Sequence, residues 1–96
     1  MKRYKILIEN ENKTFSIGEV KGENETFFIE GIKCFRSKNM ADEIISDLET
    51  GTRLARGFFI DWAKDKAKKS LKKNPDLYKK HVERIKSIGF ELPLNK

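Results

Sequence analysis

Lysines are the residues of this chain whose spacing most clearly suggests a chemical role. The run KKSLKKNPDLYKK, residues 68–80, holds six lysines and a single acid. Lys64, Lys68 and Lys72 are four residues apart, so a helix would place them in one row. Such a row of ammonium groups binds a phosphate backbone by releasing its counterions and needs no contact with the bases. The spacing therefore predicts a polyanion-binding surface, with nucleic acid as the favoured ligand.

The predicted binding surface lies entirely in the second half of the chain. Its members are Lys64, Lys68, Lys69, Lys72, Lys73, Lys79, Lys80 and Arg84. Lysine dominates the set, and an ammonium group makes point contacts without the bidentate base recognition of arginine. We therefore expect little sequence preference, and the spacing does not distinguish DNA from RNA. An acidic protein surface would also fit the pattern, and so would an ordinary solvated helix end.

The net charge of +6 is unevenly distributed along the chain. Residues 1–50 contain eight Lys or Arg and ten Asp or Glu, a balance of −2. Residues 51–96 contain thirteen and five, a balance of +8. An asymmetry of this kind between the two halves points to a polyanionic partner.

Few residues are candidates for catalysis. Cys34 is the only cysteine, so no intrachain disulfide can form, and a small buried residue on a strand explains it best. His81 is the only histidine, and it falls on an apolar helical stripe as a boundary residue. The sequence contains no Gly-rich phosphate loop, catalytic triad or metal-ligand cluster. We predict that the protein is not an enzyme and needs no metal or cofactor.

Residues 1–36 are expected to form a three-stranded antiparallel meander. Alternating apolar residues predict strands over 4–9 and 15–20, joined by a polar turn. A second turn over 21–25 leads to the third strand, 26–35. Apolar residues on both faces of this run favour a central strand that bends at Gly31, and a tight turn at Glu30-Gly31 is the alternative. Phe27, Phe28 and Phe35 could stack on bases, as in RNA-binding sheets, but core packing explains them better.

Residues 37–90 are expected to form a layer of three helices. Ser37 or Asn39 would cap the first helix, which has an apolar residue at every fourth position over 40–48. The Thr50-Gly51 step either breaks the helix or only kinks it, and a break is favoured.

The second helix, residues 52–73, has two apolar edges. The first is made of Ala55, Phe58, Phe59 and Trp62. The second is made of Ile60, Ala63, Ala67 and Leu71. We assign the aromatic edge to the sheet and the edge of smaller residues to a neighbouring helix. Beyond Trp62 the aromatic edge is taken over by lysines, so the helix would extend past the sheet into solvent.

Asn74 and Pro75 begin a third helix, because Asn is a good cap and Pro is favoured at the first helical position. Gly89 ends it. The last two helices would then form an antiparallel hairpin that carries the lysines, and residues 91–96 would be a tail.

The 96 residues form one α+β domain in this interpretation, with two layers and room for one modest core. No apolar run approaches the roughly 20 residues that cross a bilayer. The first residues, MKRYKILIEN, lack the apolar run of a signal peptide. We therefore expect a cytoplasmic protein that does not enter membranes.

A protein-interaction or inhibitor module is the alternative function. If a small sheet cannot cover Phe58, Phe59 and Trp62, they form an apolar patch for a second copy or another protein. A homodimer would also shelter the edges of the sheet. Small phage and plasmid accessory proteins commonly have this size and charge density, and the lysines would then serve solubility.

Overall fold

The computed structural model describes all 96 residues as a five-stranded antiparallel sheet and two helices. The strands are β1 (Lys2–Glu9), β2 (Phe15–Ile29), β3 (Ile32–Asn39), β4 (Asp42–Asp47) and β5 (Arg53–Gly57). The helices are α1 (Ile60–Lys73) and α2 (Pro75–Ser87). The strands are neighbours in chain order, as short connections require. The α+β class and the meander topology are therefore correct, but three strands followed by three helices is wrong.

The expected first helix is replaced by the β3–β4 hairpin and the loop after β4. Ser37 pairs with Ile44, and Asn39 pairs with Asp42, across a turn at Met40 and Ala41. Met40 has a φ of 59°, a conformation that normally calls for Gly or Asn. Because neither residue stands at position 40, the four-residue apolar spacing predicts a helix where the chain forms a hairpin.

β2 is one long strand that runs through the expected turn at 21–25. Its first half pairs with β1, its second half pairs with β3, and the register shifts between Gly22 and Thr26. A Cβ at Gly22 would lie 2.6 Å from the carbonyl oxygen of Arg36. The glycine thus permits a close backbone approach where the strand changes partners, and does not form a turn.

The run 26–35 is a hairpin and not a single bent strand. Glu30 and Gly31 have φ values of 49° and 78°, and Ile29 pairs with Ile32 across them. Positive φ at both central residues is typical of the two-residue type I′ turn. The alternative turn at Glu30-Gly31 is therefore the correct one.

The second expected helix begins only at Ile60, because the residues before it form β5. In α1, Ala63 and Ala67 are completely buried and pack against Ile29, Cys34 and Ile45 of the sheet. The edge of small residues therefore faces the sheet, where the aromatic edge was expected, because alanine lets a helix lie close to the strands.

Gly51 neither breaks nor kinks a helix, since it lies in the loop between β4 and β5. It has a φ of 68°, and its carbonyl accepts a hydrogen bond from the Leu7 amide at 3.1 Å. A Cβ at this position would lie 2.6 Å from the backbone of Ile6. The glycine therefore lets the loop meet the outer edge of β1, which partly closes the curled sheet.

α2 begins at Pro75 as expected, and Gly89, with a φ of 104°, follows its end. It contacts α1 only sparsely, so the two helices do not pack along their lengths as the expected antiparallel hairpin would. Its inner side instead forms hydrogen bonds with the end of β4 and the loop after it, through Tyr78 to Asp47 and through His81 to Thr52. These bonds hold α2 against that end of the sheet.

A second packed region lies on the opposite face of the sheet, where the rings of Tyr4 and Phe35 stack at 4.0 Å and 8°. The tail, residues 91–96, is docked: the Leu94 amide donates to the Glu49 carbonyl at 2.7 Å. Neither helix has the length and apolar character needed to cross a bilayer.

Candidate nucleic-acid interface

The chain turns sharply at Asn74, between the end of α1 and the start of α2, and we call this turn the helical corner. A groove of about 1080 Å³ lies where the helical corner, the β2–β3 hairpin and the C-terminal tail meet. We call it the basic groove. Its charged residues are Lys2, Lys33, Lys72, Lys79, Lys96, Glu30 and Glu49. Five lysines against two glutamates give it an excess of positive charge, and a concave surface lined by one sign of charge concentrates the electrostatic potential.

Most of the groove lysines have no carboxylate partner within the protein. The Lys72 ammonium lies 3.9 Å from the carboxylate of Glu30. The other four form no ion pair, since every ion pair of the protein involves other residues. The Lys2 ammonium lies 5.5 Å from the centre of the Tyr4 ring, a contact that leaves its positive charge unneutralised. The charge of all four is therefore available to an external anion.

Three local structures position four of the five groove lysines. The type I′ turn at Glu30-Gly31 sets Lys33 directly opposite Phe28 on the hairpin. The corner at Asn74, where α1 ends and α2 begins, brings Lys72 and Lys79 to the same groove. In the tail, the Asn95 side chain accepts a hydrogen bond from the Lys5 amide at 2.7 Å and donates to the Lys5 and Leu48 carbonyls. These bonds anchor the backbone next to Lys96.

Phe28 is the exposed aromatic residue of the groove. Its relative exposure is 68%, whereas Phe35 is fully buried and Phe27 is half-buried. Core packing therefore explains Phe35, but it does not explain Phe28.

Tyr78 lines the groove as well and is anchored from within the fold. Its hydroxyl donates to the carboxylate of Asp47 at 2.5 Å. Burial, and then the hydrogen bond and charge of Asp47, raise the pKa of Tyr78 well above its usual value. The phenol therefore stays neutral and remains a donor, which fixes this wall of the groove.

Asp47 is completely buried and serves as the common acceptor of a polar cluster. Its carboxylate accepts from the Thr50 hydroxyl at 2.7 Å, the Thr50 amide at 3.2 Å and the Thr52 amide at 2.7 Å, in addition to Tyr78. These donors replace the water that the charge loses on burial. The cluster joins the β4–β5 loop to α2 and thereby sets the position of the helical corner.

Cys34 and His81 lie outside the groove lining. Burial and the negative charge of Asp47 raise the pKa of the Cys34 thiol to about 12, so it is protonated at neutral pH. The expectation that Cys34 is a buried strand residue is confirmed. His81 Nε2 lies 2.7 Å from the Thr52 hydroxyl, which gives the ring a structural partner.

The eight lysine and arginine residues singled out from the sequence do not form one surface. Lys72 and Lys79 lie in the basic groove. Lys68, Lys73 and Lys80 are exposed and unpaired outside its lining. The other three have intramolecular partners: Lys69 pairs with Asp65, Lys64 lies 4.4 Å from the centre of the Phe27 ring, and Arg84 lies 5.2 Å from the centre of the Phe15 ring.

Sequence reasoning missed part of the groove. It did not select Lys2, Lys33 or Lys96, and it ranked Phe28 as a core residue. The hairpin turn was the available signal, because a type I′ turn at Glu30-Gly31 places Phe28 and Lys33 on the same face. Nothing in the sequence around Lys2 or around Lys96 indicates that these two residues line the same groove.

The aromatic cluster of Phe58, Phe59 and Trp62 is exposed, with relative exposures of 61%, 54% and 59%. Phe59 contacts the other two rings edge to face, at centroid distances of 5.4 and 4.8 Å. The expectation that this cluster packs on the sheet is therefore wrong. Phe58 and Phe59 come before α1 begins, so they do not share the helical face that Ala63 and Ala67 bury.

No family model matches this chain, and no curated protein or solved structure matches it either. The basic groove and the exposed aromatic cluster are therefore the features of this chain from which a function can be proposed.

Proposed function

We propose that this chain is a small non-catalytic module that binds nucleic acid in the basic groove with little sequence specificity. One observation carries the proposal: five lysines, from β1, β3, α1, α2 and the tail, converge on one groove, and four of them have no acidic partner. Lysines that served only solubility would have no reason to converge. We expect such a module to be located in the cytoplasm.

Weak sequence preference follows from the residue types. The groove contains no arginine, and lysine does not provide the planar fork that reads guanine. Affinity would therefore come from phosphate contacts and would be sensitive to salt.

A salt titration tests the proposal. We expect fluorescence anisotropy with a labelled oligonucleotide of mixed sequence to show binding at low salt. If about four or five phosphates are neutralised, the logarithm of the affinity should fall with the logarithm of salt at a slope of about −3 to −4. A second oligonucleotide of scrambled sequence should give a similar affinity. No binding at low salt, or binding that salt does not weaken, would reject the proposal.

Self-association is a second candidate function, and the exposed aromatic cluster favours it. Phe58, Phe59 and Trp62 lie directly after β5, which is an edge strand of the sheet. A second copy that packed on this cluster would cover three aromatic side chains and shelter the adjacent strand edge. Because both copies carry the same patch, each would contact the other through it, as is usual in a twofold-symmetric dimer.

Sedimentation equilibrium over a range of concentrations tests self-association. We expect a dimer that dissociates on dilution, and the double variant Phe58→Ser, Trp62→Ser should shift it to monomer because the apolar contact is lost. Ile88→Ser, which changes an apolar residue of similar exposure at the end of α2, is the control and should leave the dimer intact. A protein that stays monomeric at every concentration would exclude this function.

A further inference from the structure

We infer that the ligand of the basic groove is a single-stranded nucleic acid, one base of which stacks on the ring of Phe28. This inference rests on the proposed function and adds the form of the ligand. It is carried by the exposure of Phe28, by its position opposite Lys33 and by the lysines around it.

Phe28 and Lys33 are cross-strand partners in the β2–β3 hairpin. Directly opposite residues point to the same side of a sheet, with Cβ atoms about 5 Å apart. An aromatic ring and an ammonium group thus stand side by side on one surface. That pairing matches one nucleotide, whose base presents a flat π-face while its phosphate carries the charge.

The exposure of Phe28 is not explained by the packing of the fold. Its neighbour Ile29 is buried in the core, and Phe28 points to the opposite side, as alternation along a strand requires. There it meets the open groove, with lysines around it and no covering apolar layer. The ring of Phe28 is therefore hardly removed from water when the protein folds, but a flat ligand that stacked on it would cover the ring.

The form of the nucleic acid follows from what each form exposes. A duplex keeps the faces of its bases stacked against one another and presents phosphates and groove edges to a protein. A single strand leaves its base faces free to stack on an aromatic side chain. The lysines alone would serve both forms, so the ring is the feature that selects the single strand.

The hairpin also gives the ring a fixed position. The ladder of β2 and β3 is regular from Thr26 to Ile29, and the turn that follows is a tight one. A stacking platform on a strand loses little conformational freedom when it binds, whereas a residue on a long loop would lose more.

Three labelled or competing probes test this inference: a thymidine oligonucleotide of about 15 nucleotides, a duplex of the same length, and heparin, which is a polyanion without bases. We expect Phe28→Ala to weaken binding of the thymidine strand roughly 5- to 150-fold, the range that corresponds to the loss of one stacked base. Binding of the duplex and of heparin should stay unchanged, because both use only the lysines. Phe28→Trp should keep the single-strand affinity, since it keeps a stacking surface.

Leu77→Ala is the matched control, because it removes an apolar side chain of similar exposure that lies outside both the groove and the aromatic cluster. It should leave all three affinities unchanged. If Phe28→Ala weakens none of the probes, or weakens all three equally, the stacked single strand is excluded while the proposed nucleic-acid function stands. If the unaltered protein binds none of the probes, the proposed function itself fails.

Discussion

Replacing Lys33, Lys72 and Lys79 together by glutamate should lower the affinity for nucleic acid at least about 100-fold at low salt, because it reverses the charge of the groove. The groove changes from five lysines and two glutamates to two lysines and five glutamates. All three positions are exposed, so the fold should be retained and circular dichroism should be unchanged. Fluorescence anisotropy measures the loss.

The triple variant of Lys68, Lys73 and Lys80 to glutamate is the matched control for charge. Lys68 and Lys73 lie on α1 and Lys80 lies on α2; all three are exposed and unpaired, and none of them lines the groove. The net charge of the protein falls by the same amount in both variants. We expect a loss of only a few-fold from the longer-range field. An equal loss in both variants would mean that the whole helical end binds the ligand and that the groove has no special role.

Replacing Asp47 by alanine should lower the free energy of unfolding by about 3–5 kcal/mol. The change leaves the Thr50 hydroxyl, two backbone amides and the Tyr78 hydroxyl without their acceptor in a buried site. Unsatisfied buried donors cost about 1–3 kcal/mol each, and local rearrangement recovers part of the total. Urea denaturation measures the effect, which is a large share of the stability of a small domain.

Two further variants separate the role of Asp47 from a general effect of charge. Tyr78→Phe removes a single donor and should cost only about 1–2 kcal/mol. Asp65→Ala removes an exposed carboxylate that pairs with Lys69, and its effect should stay within about 0.5 kcal/mol. If Asp47→Ala were as mild as Asp65→Ala, the buried cluster would not stabilise the fold, and the position of the helical corner would need another explanation.

The correct predictions come from features that act within a few residues. Pro75 and Gly89 marked α2, because proline favours the first helical turn and glycine accepts the left-handed conformation after the last one. The charge run and the buried Cys34 also followed from residue type alone. Each of these features follows from the residue type or from the adjacent residues in the sequence, so it can be predicted without knowledge of the fold.

The wrong predictions lie where two periodicities fit the same residues. Ile44 and Ile45 satisfied a four-residue helical spacing, yet they are β-branched and lie in β4. The turn before them has its positive φ at Met40 instead of at a glycine, so no local signal separated the hairpin from a helix. Pairing with β3 on one side and β5 on the other decided the outcome, because the strand hydrogen bonds come from residues distant in sequence.

Composition and helix caps act locally, so the sequence is enough to identify a small α+β protein with a lysine-rich second half and one well-marked C-terminal helix. The packing of the chain sets which of those lysines share a surface, and it brings Lys2, Lys33 and Lys96 to them. It also decides that Phe28 is exposed while Phe35 is buried. A groove is formed by segments that are distant along the chain, and only the closing of the sheet and the buried bonds of Asp47 bring those segments together.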